Sequence, residues 1–495
     1  MGFRSERSAN VGRWMALAAA LLGWMFDGFE MGLFPVISRP ALLDLLGFAG
    51  PDITKDQETL VALWNALAIA AFLIGAATGG VLFGWLGDRL GRVRAMTLSI
   101  LTYALCSGLG GFAVQPWQIV AVRFIAALGM GGEWSLGVAL VMEVWGGRSR
   151  ALLAGLIGAA ANLGYLFVAL LSLGIGSVRG SLSELGLPPG WAEWRLMMLM
   201  GMVPALLTFF IVRLVPESES WEQERSTGRT SAWAGSDLLA VLFGAAVCWG
   251  ILLMWVPNFG FGWLARLAGT LLGVPLVTLA FLFPIFRYLG RSADDRHFAR
   301  KTLRTMLLAA CISGVPLLGT WAAIQVGVTW AHLLGQQTNA DGAKEWTQFS
   351  SSLGAIVGCF AGALLAGWQG RRLAYVVLCL ASLGACWLFF RADQVYGAWF
   401  LATAALAGAC TAAFYGWLPL YLPELFPTRV RATGQGFGYN FGRILAAMGA
   451  LQTSALVGVF DGSYPRACGT MSLIYVVGVV IIWLAPETHG KPLPE

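Results

Sequence analysis

Five ionisable residues stand inside long apolar runs: Asp27, Glu30, Arg123, Glu133 and Arg443. A charge at the centre of a bilayer costs about 2.5 to 3.5 kcal/mol, so each calls for a partner or a task. Asp27 and Glu30 are three residues apart, on one face of a helix. By helical rise, Asp27 lies about 10 Å from the outer end of its run and Arg123 about 9 Å from the outer end of its own. An Asp27–Arg123 couple is expected, in which the aspartate accepts a proton and the arginine is released or re-paired. The other reading is a permanent bridge locking the two segments. Glu30, nearer the outer surface, is open to pairing or to water. Glu133, about 18 Å from the opposite end of its run, sits near midplane in a glycine-rich stretch. It reads equally as a second proton site or as a hydrogen-bonded packing residue. Arg443, about 17 Å into its run, follows Asn440 by one helical face step. A fixed guanidinium at midplane suits a carboxylate substrate; a counter-ion for Glu133 is the alternative. Asn440, Asn162, Gln325 and Trp417 complete the expected substrate-binding set with Arg443. Three acids against two arginines leave one proton to neutralise the group.

The elements that carry these residues are membrane spans. Of 495 residues, 58% are hydrophobic and 12% charged, half the charge density of about 25% that a soluble chain needs. Spans of about 20 apolar residues are expected at 14–37, 60–83, 95–114, 117–145, 151–178, 194–215, 238–256, 268–286, 302–334, 346–368, 374–390, 395–422, 432–460 and 470–485, fourteen in all. The first run is too long for a signal-peptide core and reads as a retained span. Arginines and lysines gather in short loops on one side in this count, which places both termini in the cytoplasm. The net charge of +6 is this loop charge and not a nucleic-acid footprint. The eight cysteines have no CxxC spacing, and three histidines bring no nucleophile constellation, so neither a metal site nor an enzyme is expected.

The loops repeat. Glu143, Arg148, Arg150 and Ala151 recur as Glu424, Arg429, Arg431 and Ala432 at an offset of 281 residues; GDRLGR (87–92) is echoed by AGWQGR (366–371), and Pro216-Glu217-Ser218 by Pro486-Glu487-Thr488. Two parallel halves of six spans with two extra spans between them account for the length. The organisation expected is a cytoplasmic N-terminus (1–13), an N-terminal bundle (14–215), a central segment with the extra pair (216–301), a C-terminal bundle (302–485) and a tail (486–495). Such halves face each other in transporters, with substrate near midplane. Gly84, Asp88, Arg89, Gly91, Arg92, Glu143, Arg148, Arg150, Glu424, Arg429 and Arg431 form the expected cytoplasmic gate, a charge latch; solvated topology charge is the other reading. Gly367 stands where Asp88 stands in the first half, which argues against a symmetric latch.

GWLGDRLGR (84–92) resembles the loop signature of the major facilitator superfamily, and R-x5-G-x-G from Arg123 to Gly131 its fourth-helix motif. DGFE (27–30), GMGGEW (129–134) and YLPELFPTRVRATGQGFGYNFGR (421–443) are similar to the sialate and lactate proton symporters. The resemblance implies an all-helical membrane fold and a proton-coupled symporter of a small organic anion such as a monocarboxylate or sialic acid. It also implies a protonatable Asp27 and, as energy source, a proton gradient in place of any cofactor. A monomer in the plasma (inner) membrane is expected, with lipid and a small molecule as its partners. A sugar or other neutral-solute carrier and a non-transporting nutrient sensor are the alternatives.

Overall fold

The computed structural model describes residues 2–48, 53–145, 149–182, 193–256, 259–292, 296–320, 324–391, 395–444, 457, 459–461 and 463–494. Among them the chain is helical: α1 (Gly2–Leu45), α2 (Lys55–Leu90), α3 (Arg92–Leu109), α4 (Pro116–Val144), α5 (Arg150–Leu182), α6 (Glu193–Met200), α7 (Pro204–Leu214), α8 (Glu219–Ser226), α9 (Leu238–Trp255), α10 (Trp263–Arg291), α11 (Arg296–Gly319), α12 (Gln325–Thr338), α13 (Ala343–Gln369), α14 (Arg371–Arg391), α15 (Ala398–Tyr421), α16 (Arg431–Asn440), α17 (Tyr464–Met471) and α18 (Ile474–Ile481). Twelve helices of the described residues are long and apolar enough to cross a membrane. They coincide with twelve of the fourteen expected runs. The run at 194–215 is divided instead. Gly201, Met202 and Val203 form tight i→i+3 turns onto Met198, Leu199 and Met200, because Pro204 has no N–H to continue the helix. The run at 432–460 starts as α16 and passes into residues 445–456, outside the described residues.

Helix starts follow local chemistry. Thr54 caps α2 reciprocally with Gln57 (Thr54 N to Gln57 Oε1 2.9 Å), and Pro116 opens α4 where a missing N–H costs nothing. The bundles then close through small residues. A Cβ at Gly131 of α4 would overlap the Ala76 carbonyl of α2, and one at Gly436 of α16 would overlap Gly80 of α2. The first contact lies inside the N-terminal half and the second joins the halves. Glycine-rich stretches here serve backbone approach, as small-residue interfaces in lipid do.

α9 and α10 form a pair that packs hairpin-like, Gly244 of α9 lying against Phe281 of α10. It touches the N-terminal half through Trp249 and Phe124 (5.8 Å between rings) and the C-terminal half through Phe281 and Phe441 (6.4 Å). At its base Asp237 pairs with Arg291, and Trp233 stacks on Tyr288 at 4.1 Å. Its outer face, including Leu239, Leu242, Phe243, Leu271, Leu272 and Leu279, is exposed. Gly131→Leu is expected to lower the unfolding temperature of detergent-solubilised protein by several degrees, through overpacking of about 1 to 3 kcal/mol. Gly384→Ala, where a Cβ meets nothing within 4 Å, should leave it unchanged.

Candidate functional site

Two clusters of buried charge occupy different levels of the bundle. In the membrane interior α1 presents Asp27 and Glu30, α4 presents Arg123 and Glu133, and residues 441–444, continuing α16, present Arg443; all five are at most 4% exposed. Arg123 does not pair with Asp27. Its Nη1 donates to Glu30 Oε1 at 3.1 Å, and its guanidinium lies over the rings of Phe34 (3.9 Å) and Phe72 (5.0 Å). The expectation failed because α1 continues to Leu45, eight residues past the apolar run. Asp27 therefore sits deeper than the end of that run implied, and Glu30, one turn outward, meets the level of Arg123.

Asp27 is left with Glu133, Arg443 and Glu30 as its charged neighbours. The Glu133 carboxyl lies against Gly23, one turn from Asp27 on the same face of α1. The Asp27 and Glu133 carboxyls lie within hydrogen-bond reach of each other, a contact that needs a shared proton because no N–H or O–H donor reaches either, and Nε and Nη1 of Arg443 have no hydrogen-bond partner. Two acids in contact and one cation are thus buried side by side with neither acid bonded to the cation, an arrangement in which one proton changes the local balance of charge.

Beside them opens a central cavity between the halves, lined by Trp24 and Met31 of α1, Asn162 and Tyr165 of α5, Gln348 and Ser352 of α13, Thr411 and Tyr415 of α15, and Tyr439 and Arg443, with Thr320 and Val328 also on its wall. Arg443 and Asn162 are there, as expected. Asn440 is not: its Nδ2 donates to the carbonyls of Gly131 (2.8 Å) and Gly436 (3.0 Å), tying α16 to α4. Trp417 is not either, since its Nε1 donates to the Arg371 carbonyl at 3.0 Å in a wholly buried aromatic stack with Tyr375 and Tyr421. The side chain of Gln325 lies outside the described residues. Trp24, Tyr165, Gln348, Tyr415 and Tyr439 went unnoticed in the sequence. Neutral residues in apolar runs carry no cost signal, and one-face spacing alone does not separate cavity from lipid.

The second cluster joins the halves. Arg92 donates to Asp88 (2.7 Å), Glu143 (3.1 Å) and the Thr428 carbonyl (2.7 Å), and Arg431 donates to Glu143 (2.7 Å). Asp88 accepts from the backbone of Ala432 (3.2 Å) and from the backbone and hydroxyl of Thr433 (2.9 and 2.6 Å), capping the start of α16 from the other half. Gly84 faces Ala432 and Thr433 so closely that a Cβ would stand 2.7 Å from the Ala432 carbonyl. The C-terminal counterpart is different. Arg371 and Glu424 form a fork (2.7 and 2.9 Å) inside their own half, with Thr488 on Glu424 at 2.6 Å. Where an acid matching Asp88 would stand, the Gly367 carbonyl bonds His489 instead (2.9 Å). Arg150 donates to the Trp145 carbonyl (3.3 Å), Arg89 lies over Trp85 and Arg429 over Phe298, while Arg148 lies outside the described residues. Gly91, at φ +111°, turns α2 into α3 with Glu217 against it.

The repeated glutamates also differ. Burial raises Glu217 above the ordinary carboxylate range although backbone N–H groups of Arg92, Val93 and Ser218 donate to it. At Glu487 the opposing effect of burial is outweighed by the N–H groups of Arg371, Arg372, Thr488 and His489, which hold it below that range.

A family model described as Major Facilitator Superfamily matches residues 20–335. The chain belongs to the major facilitator superfamily. Among its relatives in the superfamily, the niacin transporter NiaP of Acinetobacter baylyi is 25% identical over 95% of this chain and 93% of its own. A Cupriavidus pinatubonensis protein described as a "Probable 4-methylmuconolactone transporter" is 27% identical over 95% of this chain and 90% of its own. The solved structure of the proton:xylose symporter XylE superposes with a TM-score of 0.69 over 97% of this chain and 98% of that one, at 17% identity, and shows the shared superfamily fold alone. This major facilitator is therefore a multi-pass transporter of the metabolite group.

Glu143 holds two arginines from opposite halves, so Glu143→Gln should loosen the junction. In a cysteine-free background, Ala432→Cys is expected to react several-fold faster with an impermeant maleimide after Glu143→Gln, whereas Glu424→Gln, whose partner is in its own half, should change the rate far less.

Proposed function

We propose that this protein is a proton-coupled symporter of a small organic anion, working by alternating access as a monomer in the plasma (inner) membrane. The observation that carries the reading is the contact of the Asp27 and Glu133 carboxyls, with Arg443 bonded to neither, beside the central cavity. With both acids ionised, Arg443 is held toward them. Proton uptake by the carboxyl pair, with Asp27 as its outer member, frees the guanidinium for a substrate carboxylate, which it can grip with two parallel N–H donors. Proton and anion then enter together, because each lowers the cost of burying the other. Glu30–Arg123 stays closed and anchors the outer part of α1 to α4. The Asp88, Arg92, Glu143 and Arg431 network is the cytoplasmic gate; it opens when the loaded halves rock about the cavity. Relatives named for niacin and 4-methylmuconolactone support a small metabolite as cargo.

Fourteen crossings fit this scheme: the twelve long helices, the broken α6–α7 segment, and the segment that begins with α16. With fourteen, the arginine clusters at 89–94, 148–150, 296–301, 371–372 and 429–431 share the cytoplasmic side with both termini. The bundles at 14–215 and 302–485 then act as the two rocking units, and the pair at 238–286 rides on their outside.

Uptake into proteoliposomes with and without an imposed pH gradient tests the scheme. Asp27→Asn should abolish accumulation against a concentration gradient and leave substrate exchange measurable, since asparagine mimics the protonated acid; surviving accumulation would remove Asp27 from the coupling. Arg443→Lys should weaken substrate binding at least about tenfold while keeping the charge, because an ammonium lacks the planar fork. Near-normal affinity in that variant would favour a neutral solute.

A further inference from the structure

The two ends of the central cavity are closed by different chemistry. Trp14 of α1 stands edge-on to Trp145, just past the Glu143 end of α4 (4.9 Å), so this part of α1 lies at the level of the Asp88, Arg92, Glu143 and Arg431 junction. Pro35 follows 21 residues later on α1, about 31 Å of helical rise away. There Lys344 of α13, in the C-terminal half, donates through Nζ to the Pro35 carbonyl at 2.5 Å. Neither residue lines the cavity. Gln348 and Met31, one turn nearer to it on the same faces of α13 and α1, both do, and Ser352 and Trp24 continue the two files inward. The Lys344–Pro35 bond therefore stands over the cavity as its closure.

This bond is unlike those of the junction. Arg92 and Arg431 face carboxylates there, whereas the acceptor of Lys344 is a neutral carbonyl and leaves its charge uncompensated. The ion pairs at this end of α1, Arg39 with Glu58 (3.0 Å) and Arg195 with Asp44 (3.3 Å), are inside the N-terminal half. Glu345 is the charged neighbour of Lys344, yet Nζ reaches across to the other half. Local helix stability does not account for Lys344 either, since the first turn of a helix favours an acid such as Glu345 over a cation.

We infer that Lys344 is the gate residue at this end of the cavity, the outer end in the proposed scheme, and the first binding point of the entering anion. The capture step rests on the anion reading; the closure does not. When the halves part here, the ammonium loses Pro35 and stands at the open mouth, where a carboxylate offers a stronger, charge-assisted bond than the carbonyl did. Arg443 is a neighbour of Asp27, eight residues before Pro35, about 12 Å deeper by helical rise. A carboxylate handed inward from Lys344 to Arg443 returns Nζ to the carbonyl and shuts the cavity behind it.

The test is the labelling rate of Ser352→Cys, in a cysteine-free background of the full-length protein in nanodiscs, with three methanethiosulfonates: the neutral hydroxyethyl, the anionic sulfonatoethyl and the cationic trimethylammonioethyl reagent. Lys344→Met keeps the side-chain length and removes charge and donor. It is expected to speed the neutral reagent several-fold and to lower the anionic-to-cationic rate ratio at least about threefold, while Lys344→Arg keeps the ratio. Ala432→Cys, at the junction, should label no faster in Lys344→Met. An unchanged neutral rate overturns the gate, and an unchanged ratio overturns the capture site. Faster labelling at Ala432→Cys as well makes Lys344 a general packing residue and overturns both. These rates are read without cargo, so their outcome is separate from the uptake and binding assays that test the anion reading.

Discussion

A carboxylate or guanidinium sealed away from water has to find its opposite inside the protein, because desolvation costs several kcal/mol per ion and lipid offers nothing in return. Glu143 meets that requirement with one arginine from each half, Arg92 and Arg431. The pairing makes the two bundles mutually dependent at this end, and breaking it leaves buried charge on both sides. Asp88 adds a second tie of the same kind by capping α16 across the junction. Glycines at 80, 84 and 436 let the backbones come close enough for these short bonds. The junction is therefore closed by short, buried, charged bonds from both sides, and parting them leaves these charges without partners.

Among Asp27, Glu30, Arg123, Glu133 and Arg443 the same requirement is met incompletely. Glu30 and Arg123 pair with each other, whereas the Asp27 and Glu133 carboxyls face each other and neither bonds Arg443. A proton or an anion resolves the imbalance, and either one changes the affinity for the other. Coupling in the proposed cycle arises from this shared deficit. The junction and the interior cluster are linked through α4, which carries Arg123, Glu133 and Glu143, and through the α16 segment, which carries Arg431 and Arg443.

What could be read from the sequence was what carries a cost. Charged residues in apolar runs singled out all five interior ionisable groups, and apolar runs located twelve of the helices, because lipid penalises exceptions to both patterns. The offset repeat put Glu143 and Glu424 at corresponding positions, each accepting from arginine, and Gly367 marked where they differ: Asp88 crosses to the other half while Arg371 and Glu424 stay in theirs. Pairing was not legible. Choosing Glu30 over Asp27 for Arg123 depends on a shift of one helical turn, and the end of an apolar run locates a helix end less accurately than that. The cavity wall was not legible either, since Tyr415 facing a substrate and Trp417 buried in an aromatic stack are two residues apart and look alike in sequence.

The most direct measurement of the central claim is the number of protons taken up when substrate binds, obtained from binding calorimetry in buffers of different ionisation enthalpy near neutral pH. The account predicts uptake of about one proton per anion bound by the wild-type protein and none by Asp27→Asn. Heats that do not depend on the buffer in the wild type, or equal uptake in both proteins, would contradict it.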